Sequence, residues 1–288
     1  MNRPCAALAF LALVTHNLAA VDPAAFKAAA ELYQQRKPLE AQKAFEALAG
    51  ADGKNADVQF YLGRLALQRD EADKAIVYLE QAVALAPDDS RYHHRLGDAY
   101  GRAAQKADVS AKLGLAGKCK TAYKKAVDLD GKNVDARQSL FNFYLQAPWY
   151  AGGSSEKALA QAAEIKRLDP PRGRQVLAGY YASEKKYDLA LAEFDEVLKA
   201  RPDDYTSLYQ VGRLAANTGR YLERGLASLR RCLALPEPDG EPSHAAAHWR
   251  IGNILEKQGD KPGARAAYEA ALKADPKFSP AIESLKKL

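Results

Sequence analysis

The sequence predicts an all-α fold, an α-solenoid of about seven helix-turn-helix units with a C-terminal capping helix. Three observations carry the prediction. First, Gly63, Ala75, Leu79, Ala82 and Pro87 recur at the same offsets as Ala178, Ala190, Phe194, Val197 and Pro202, and again as Gly252, Ala264, Tyr268, Ala271 and Pro276. Second, the period of about 34 residues fits one helical hairpin per unit. Third, a Pro closes each complete unit, where its missing N–H and its effect on the preceding residue end a helix.

Each position in the pattern has a physical reason. The first helix of a unit needs a small residue where its neighbour crosses closely, hence Gly63, Gly97, Gly212 and Gly252. The second helix presents a small residue to that crossing, hence Ala75, Ala158, Ala190 and Ala264. A bulky residue follows on the same face, three or four residues on.

Residues 1–20 stand apart from the repeats. Arg3 precedes an apolar run from Cys5 to Val14, and a more polar stretch ends in Leu18, Ala19 and Ala20. That order is the pattern of a secretory signal peptide, with cleavage expected after Ala20. The apolar run is too short to span a bilayer, which takes about 20 residues. Cys5 opens the run instead of following it, so a lipoprotein anchor is not expected. The predicted location is periplasmic or secreted, with no membrane span after cleavage.

The seven units fall near residues 23–55, 56–89, 90–133, 134–170, 171–204, 205–242 and 245–278. The first keeps Ala30, Tyr33, Ala41 and Phe45 but has Gly53 where Pro is usual. The third replaces its Pro with Gly131 and holds extra residues between Tyr100 and Cys119, which are expected to lengthen the flanking helices. The fourth holds an insertion from Ala147 to Ser155, with Trp149 and Tyr150 beside Gly152 and Gly153. The sixth ends in the loop from Pro236 to Pro242. Residues 279–288 read as the capping helix, with Pro280 early and Lys286 and Lys287 in the last turn. A cap is expected because a terminal repeat would otherwise expose an apolar face.

The stretch FYLGRLALQRDEADKAIVYLEQAVALAPDD in the second unit and HWRIGNILEKQGDKPGARAAYEAALKADP in the seventh resemble the tetratricopeptide repeat. The resemblance covers nearly all of the chain after residue 20. It implies a protein-binding scaffold whose first helices line a concave groove. Carried onto this chain, that groove holds Lys27, Glu31, Phe60, Arg64, Arg91, His94, Asp98, Gln138, Asn142, Gln175, Tyr209, Arg213, Asn217, Trp249, Asn253 and Glu256. Phe60/Arg64, Tyr209/Arg213 and Trp249/Asn253 each place an aromatic four residues before a polar head, on one helical face. Such pairs suit an extended peptide, and packing of the rings against the next helix is the competing expectation. Trp149 and Tyr150 form a second candidate contact. Some family members clamp a C-terminal carboxylate with Lys and Asn. Here Lys27, Arg91 and Arg95 supply cations, but Glu31 and Tyr61 stand where Asn is needed, and Glu31 would repel a carboxylate.

No sequence feature points to an enzyme. GxxxxGK[ST], HExxH, GxSxG and CxxC are all missing, and no cofactor or metal is expected. His244 and His248 are i,i+4 neighbours, but two imidazoles fall short of the three or four ligands a zinc site takes. The net charge of +6 is spread along helices of mixed sign, unlike a nucleic-acid stripe. Cys119 and Cys232 lie three repeats apart and are expected as buried free thiols. The partner is expected to be a protein or peptide, bound by an adaptor or scaffold. A structural subunit of a secretion, pilus or polysaccharide-export assembly is the alternative, and a metal-binding accessory subunit is less favoured.

The exported protein is expected to begin at Val21. Intact-mass measurement checks this, and a mass that includes residues 1–20 would overturn it.

Overall fold

The computed structural model describes residues 21–51, 54–237 and 242–288. The expected signal peptide, Gly53 and most of the Pro236 to Pro242 loop lie outside them. Among the described residues there are fifteen α-helices, one 3-10 turn and no strand.

Seven sequential helix pairs account for fourteen of the helices: α1 (Pro23–Gln34) with α2 (Pro38–Ala51), α3 (Ala56–Gln68) with α4 (Ala72–Leu85), and α5 (Ser90–Lys106) with α6 (Val109–Leu129). Next come α7 (Val134–Gln146) with α8 (Ser155–Leu168), α9 (Pro170–Ser183) with α10 (Tyr187–Ala200), and α11 (Tyr205–Thr218) with α12 (Leu222–Ala234). Finally α13 (His244–Lys257) pairs with α14 (Lys261–Ala274), and α15 (Ser279–Lys287) follows. A 3-10 turn, Trp149–Ala151, sits in the insertion between α7 and α8.

Polar residues start many of these helices by accepting an otherwise orphaned backbone N–H. Asn55 accepts from Val58, Asp108 from Ala111, Ser154 from Lys157, Asp204 from Ser207 and Ser243 from Ala246. The insertion in the third unit lengthens its helices as expected. α5 has 17 residues and α6 has 21, against 14 in α4 and α14.

The chain divides into two compact units. The first takes in α1 to α6, α7 as far as Ser139, and residues 147–152. Within it each of α1 to α5 packs on the next, and α3 also meets α5. Its N-terminal core joins Ala29, Ala41, Phe45, Val58, Leu62 and Leu65. The second unit holds residues 140–146 and 153–288. There α8 to α15 pack in succession, and α11 also meets α13. Its C-terminal end is closed by α15, whose Ala281 is buried with Ala264, Tyr268 and Ala271.

The small-residue positions are true close crossings. A Cβ added at Gly97 would lie 2.4 Å from Tyr123 Cδ1, and one at Gly252 would lie 2.3 Å from Tyr268 Cε1. Gly63 meets Leu79 and Gly212 meets Leu229 in the same way. Ala75, Ala158, Ala190 and Ala264 are fully buried opposite. Cys119 and Cys232 are buried free thiols, their pKa values pushed up to about 12, chiefly by burial. They remain protonated and unreactive at neutral pH.

One close approach falls outside the repeated pattern. A Cβ at Gly173 would lie 2.2 Å from the Lys166 Cα and 2.3 Å from its backbone N. No side-chain rotation relieves a clash with backbone. Gly179, on the same helix α9, has nothing within 4 Å of that position. Gly173→Ala is therefore expected to destabilise the protein by about 1–3 kcal/mol through overpacking. Gly179→Ala should stabilise it by up to about 1 kcal/mol through helix propensity. Urea melts of the two variants check the opposite signs.

Candidate partner-binding site

In the first unit the first helices bring an aromatic layer and three guanidinium groups together. Phe45 stacks on Tyr61 with ring centroids 4.7 Å apart, and Tyr33 meets the edge of Tyr61 at 5.3 Å. Phe60 packs against Tyr92 at 5.0 Å. Arg64 lies on this layer, 4.6 Å from the Tyr33 centroid, 5.4 Å from Phe60 and 5.6 Å from Tyr61. The quadrupoles of the rings favour a cation there. Among the described residues no hydrogen-bond acceptor or carboxylate engages Arg64.

Helix α5 supplies the rest of the site. Asp98 accepts from Arg95 Nη1 at 2.8 Å and from the Tyr123 hydroxyl at 2.8 Å. Arg102 donates to the Leu67 carbonyl at 2.7 Å. Tyr33, Arg64, Gln68, Arg95, Asp98 and Arg102 line an open pocket of about 450 Å³, with Gly101, Gln105 and Tyr123. Three guanidiniums face one carboxylate, so the pocket is net positive. Its uncommitted donors belong mainly to Arg64, whose planar fork suits a carboxylate.

Several residues expected in the groove have other roles. Phe60 and His94 are each only 5% exposed. The ring of Phe60 is covered by Tyr92, and His94 Nε2 lies 3.0 Å from Ser139 Oγ. Arg91 is exposed but folds back on Asp89 through Nε at 3.0 Å and Nη2 at 2.6 Å, with Asp57 at 3.4 Å. Arg64 and Asp98 do face the pocket.

The second unit shows the same division between rings and heads. Tyr209 is 5% exposed, in a core with Leu208, Leu226, Leu229 and Ile251. Arg213 and Asn217 are exposed, and Asn217 accepts from Arg250 Nη1 at 2.9 Å. Trp249 donates through Nε1 to Ser284 Oγ of α15 at 3.0 Å and meets Phe278 edge-on. Asn253 accepts from the Tyr268 hydroxyl at 2.8 Å. Asn142 is exposed on α7. In all three expected pairs the aromatic is a packing group, which corrects the picture of open rings beside polar heads. The spacing placed both residues on one face, but the wider arc of that face includes the seam with the next helix.

Tyr33 and Arg102 complete the pocket without having been assigned to it by repeat position, and Arg95 had a place only in the carboxylate-clamp pattern. A signal was present, because Gln68 and Arg102 are 34 residues apart and so share one repeat position. Trp149 and Tyr150 project from the 3-10 turn, 84% and 65% exposed. His244 Nε2 lies 3.1 Å from the Leu235 carbonyl. Burial, and then His244, lower the pKa of His248. Among the described residues no group of three His, Cys, Asp or Glu is placed to hold a metal.

Stacked helical hairpins of this kind form a scaffold fold, in which function resides on presented surfaces. Profiles of the tetratricopeptide repeat match residues 32–98, 177–231 and 222–277. The chain belongs to the tetratricopeptide-repeat family, whose members are generally non-catalytic scaffolds. A tetratricopeptide repeat protein of Parabacteroides merdae superposes with a TM-score of 0.63 at 16% identity, covering 91% of this chain and 96% of that one. A thermophilic protein of the family from Thermus thermophilus gives 0.52 at 19% identity, covering 74% and 98%. In sequence, cellulose synthase operon protein C of Pseudomonas fluorescens is 30% identical over 129 residues, 43% of this chain. The chain spans only 10% of that protein's length. No described helix is long and apolar enough to cross a membrane.

Because Tyr209 is core and Arg213 is not, their truncations should separate. Tyr209→Ala is expected to cost about 3–5 kcal/mol, in the range for large core aromatics. Arg213→Ala should stay within about 0.5 kcal/mol. Equilibrium denaturation of both variants checks this, and equal losses would contradict the placement.

Proposed function

We propose that the protein is an exported adaptor that holds an acidic segment of a polypeptide partner in the pocket lined by α1, α3 and α5. The observation that supports this reading most is Arg64, fixed over Tyr33 and Tyr61 with no acceptor engaged among the described residues. A guanidinium held in place by rings loses little freedom when a carboxylate arrives, which favours binding. Arg95 and Arg102 extend the positive field along α5, and Gln68 and Gln105 offer amides to a peptide backbone. The leader-like residues 1–20 support export to the periplasm or beyond.

A second reading has one specific observation in its favour. The 129-residue likeness to cellulose synthase operon protein C supports a structural part in a polysaccharide-export assembly. The same pocket would then hold a neighbouring subunit. Cross-linking in intact cells, followed by identification of the captured chain, separates a soluble client from a fixed neighbour.

The binding chemistry is tested with a fluorescent acidic peptide ending in a free carboxylate, beside its amidated counterpart with Gln in place of each acid. The acidic peptide should bind and the neutral one should not. Arg64→Ala should weaken binding by roughly thirtyfold, the effect of losing an anchor worth about 2 kcal/mol, with unchanged helix content. Equal binding of the two peptides, or full binding by Arg64→Ala, overturns the proposal.

A further inference from the structure

A second surface of the first unit has a different chemistry and is separate from the pocket. The extension of α6 exposes Val109 by 90% and Leu113 by 52%. Each residue turns a helix by about 100°, so Val109, Leu113, Lys120 and Lys124 fall within about 60° of arc. The strip is roughly 20 Å long and faces away from the side that buries Cys119, Ala122 and Ala126. The aliphatic part and amine of Lys120 lie over Gly152, where an added Cβ would come within 2.4 Å of Nζ. That contact joins the strip to the 3-10 turn that raises Trp149 and Tyr150 into solvent, with their rings edge to face at 5.8 Å.

The charge on this face is also distinctive. α6 carries Lys112, Lys118, Lys120, Lys124 and Lys125, of which Lys120 and Lys124 lie on the strip itself, and its one acid is Asp128 in the last turn. Among the described residues no carboxylate pairs with Lys112, Lys120, Lys124 or Lys125. On neighbouring α5, Arg91, Arg95, Arg102 and Lys106 all have carboxylate partners. Exposed Val, Leu, Trp and Tyr flanked by unpaired lysines are the composition of an interfacial membrane contact. The surface is a helix flank and a turn tip, both convex. A convex face suits a soft planar interface, whereas anchors on a protein partner sit in pockets.

We propose that this face docks the protein on an anionic lipid surface, with Trp149, Tyr150, Val109 and Leu113 entering the headgroup boundary and the lysines meeting the lipid charge. No described helix spans the bilayer in this arrangement. The contact is reversible and weakens with salt, because screening shortens the reach of the lysines.

The chain contains two Trp residues, so Trp249→Phe leaves Trp149 as the sole indole reporter. This readout is local, and binding by residues 1–20 does not imitate it. The full chain is titrated with vesicles of phosphatidylglycerol and phosphatidylcholine, and separately with phosphatidylcholine alone. Trp149 emission should shift to the blue with the anionic vesicles only, and the shift should be lost in half-molar salt. Lys120→Gln with Lys124→Gln should weaken the titration by roughly twenty-five-fold, from about fivefold per lysine near an anionic leaflet. If Trp249→Phe fails to fold, co-sedimentation of Trp149→Ala/Tyr150→Ala against the parent chain replaces the fluorescence, and a drop in the bound fraction is expected. An unchanged emission, an equal response to neutral vesicles, or full binding by the lysine variants overturns the proposal. A shift with polyglutamate but not with vesicles would mark the face as a protein contact and would equally overturn it.

Discussion

The close crossing of paired helices is the constraint on which the other features rest. Gly63, Gly97, Gly212 and Gly252 have no room for a Cβ, because a Leu or Tyr of the paired helix occupies that space. The approach brings Leu79, Tyr123, Leu229 and Tyr268 into full or near-full burial. Packing at that distance fixes each pair, and in the first unit Arg64 of α3 and Arg95 and Arg102 of α5 then fall on one open side. The tyrosines of these crossings also bond through their hydroxyls. Tyr123 reaches Asp98, and Tyr268 reaches Asn253 and Glu256. These bonds tie the polar edge of the first helix to the ring that the small residue admits. Burial pushes the Tyr123 and Tyr268 phenols up, and the nearby acids push them the same way, so both remain hydrogen-bond donors at any physiological pH.

Much of this was legible in the sequence because repetition supplies its own control. A single Gly or Ala says little, but Gly63 and Gly252 with their partners at equal offsets state the same crossing twice. The terminal helix was readable from Pro280 and the closing lysines, and the lengthened α5 and α6 from the extra residues between Tyr100 and Cys119. Gly173 did not stand out, because its clash is with the backbone of Lys166 on a preceding helix. That contact depends on how closely α8 and α9 approach, and one glycine in a Pro-Arg-rich turn carries no period. The left-handed residues Arg36, Asp70 and Lys185, with φ near +60°, were hidden for a related reason. Gly259 occupies the corresponding turn in the seventh pair and Gly219 ends α11 in the sixth, but Arg36 and Lys185 reach that conformation with side chains that give no hint of it.

The site was legible in part. Helical spacing correctly placed Phe60 with Arg64 and Trp249 with Asn253 on shared faces. It could not say which member of a pair reaches the open side. A face some 100° wide covers both the opening and the seam with the next helix. Apolar rings gain by turning into the seam, and Phe60 does so against Tyr92. Long cationic side chains gain by staying at the opening, and Arg64 does so while resting its guanidinium on the same rings. Burial therefore sorts each pair by its chemistry, and the aromatic that looked like an anchor becomes the floor beneath the cation.

The choice of cation follows the same logic on the two surfaces of the first unit. The pocket uses Arg64, Arg95 and Arg102, each fixed by a ring, a carboxylate or a carbonyl. Guanidinium is planar and weakly hydrated, so it tolerates a partly covered site and presents donors in a fixed fork. Such groups suit a ligand that must be held in one geometry. The outer strip of α6 uses lysines that stay solvated, with none paired to a carboxylate among the described residues. Ammonium groups on flexible stems act as point charges and need no particular orientation of the partner. They suit a surface where charge is diffuse and laterally mobile. One helical hairpin, α5 with α6, thus presents ordered arginines on one side and solvated lysines on the other. The pocket lining includes none of Val109, Leu113, Lys120 or Lys124, so the two proposed contacts are compatible in a single molecule.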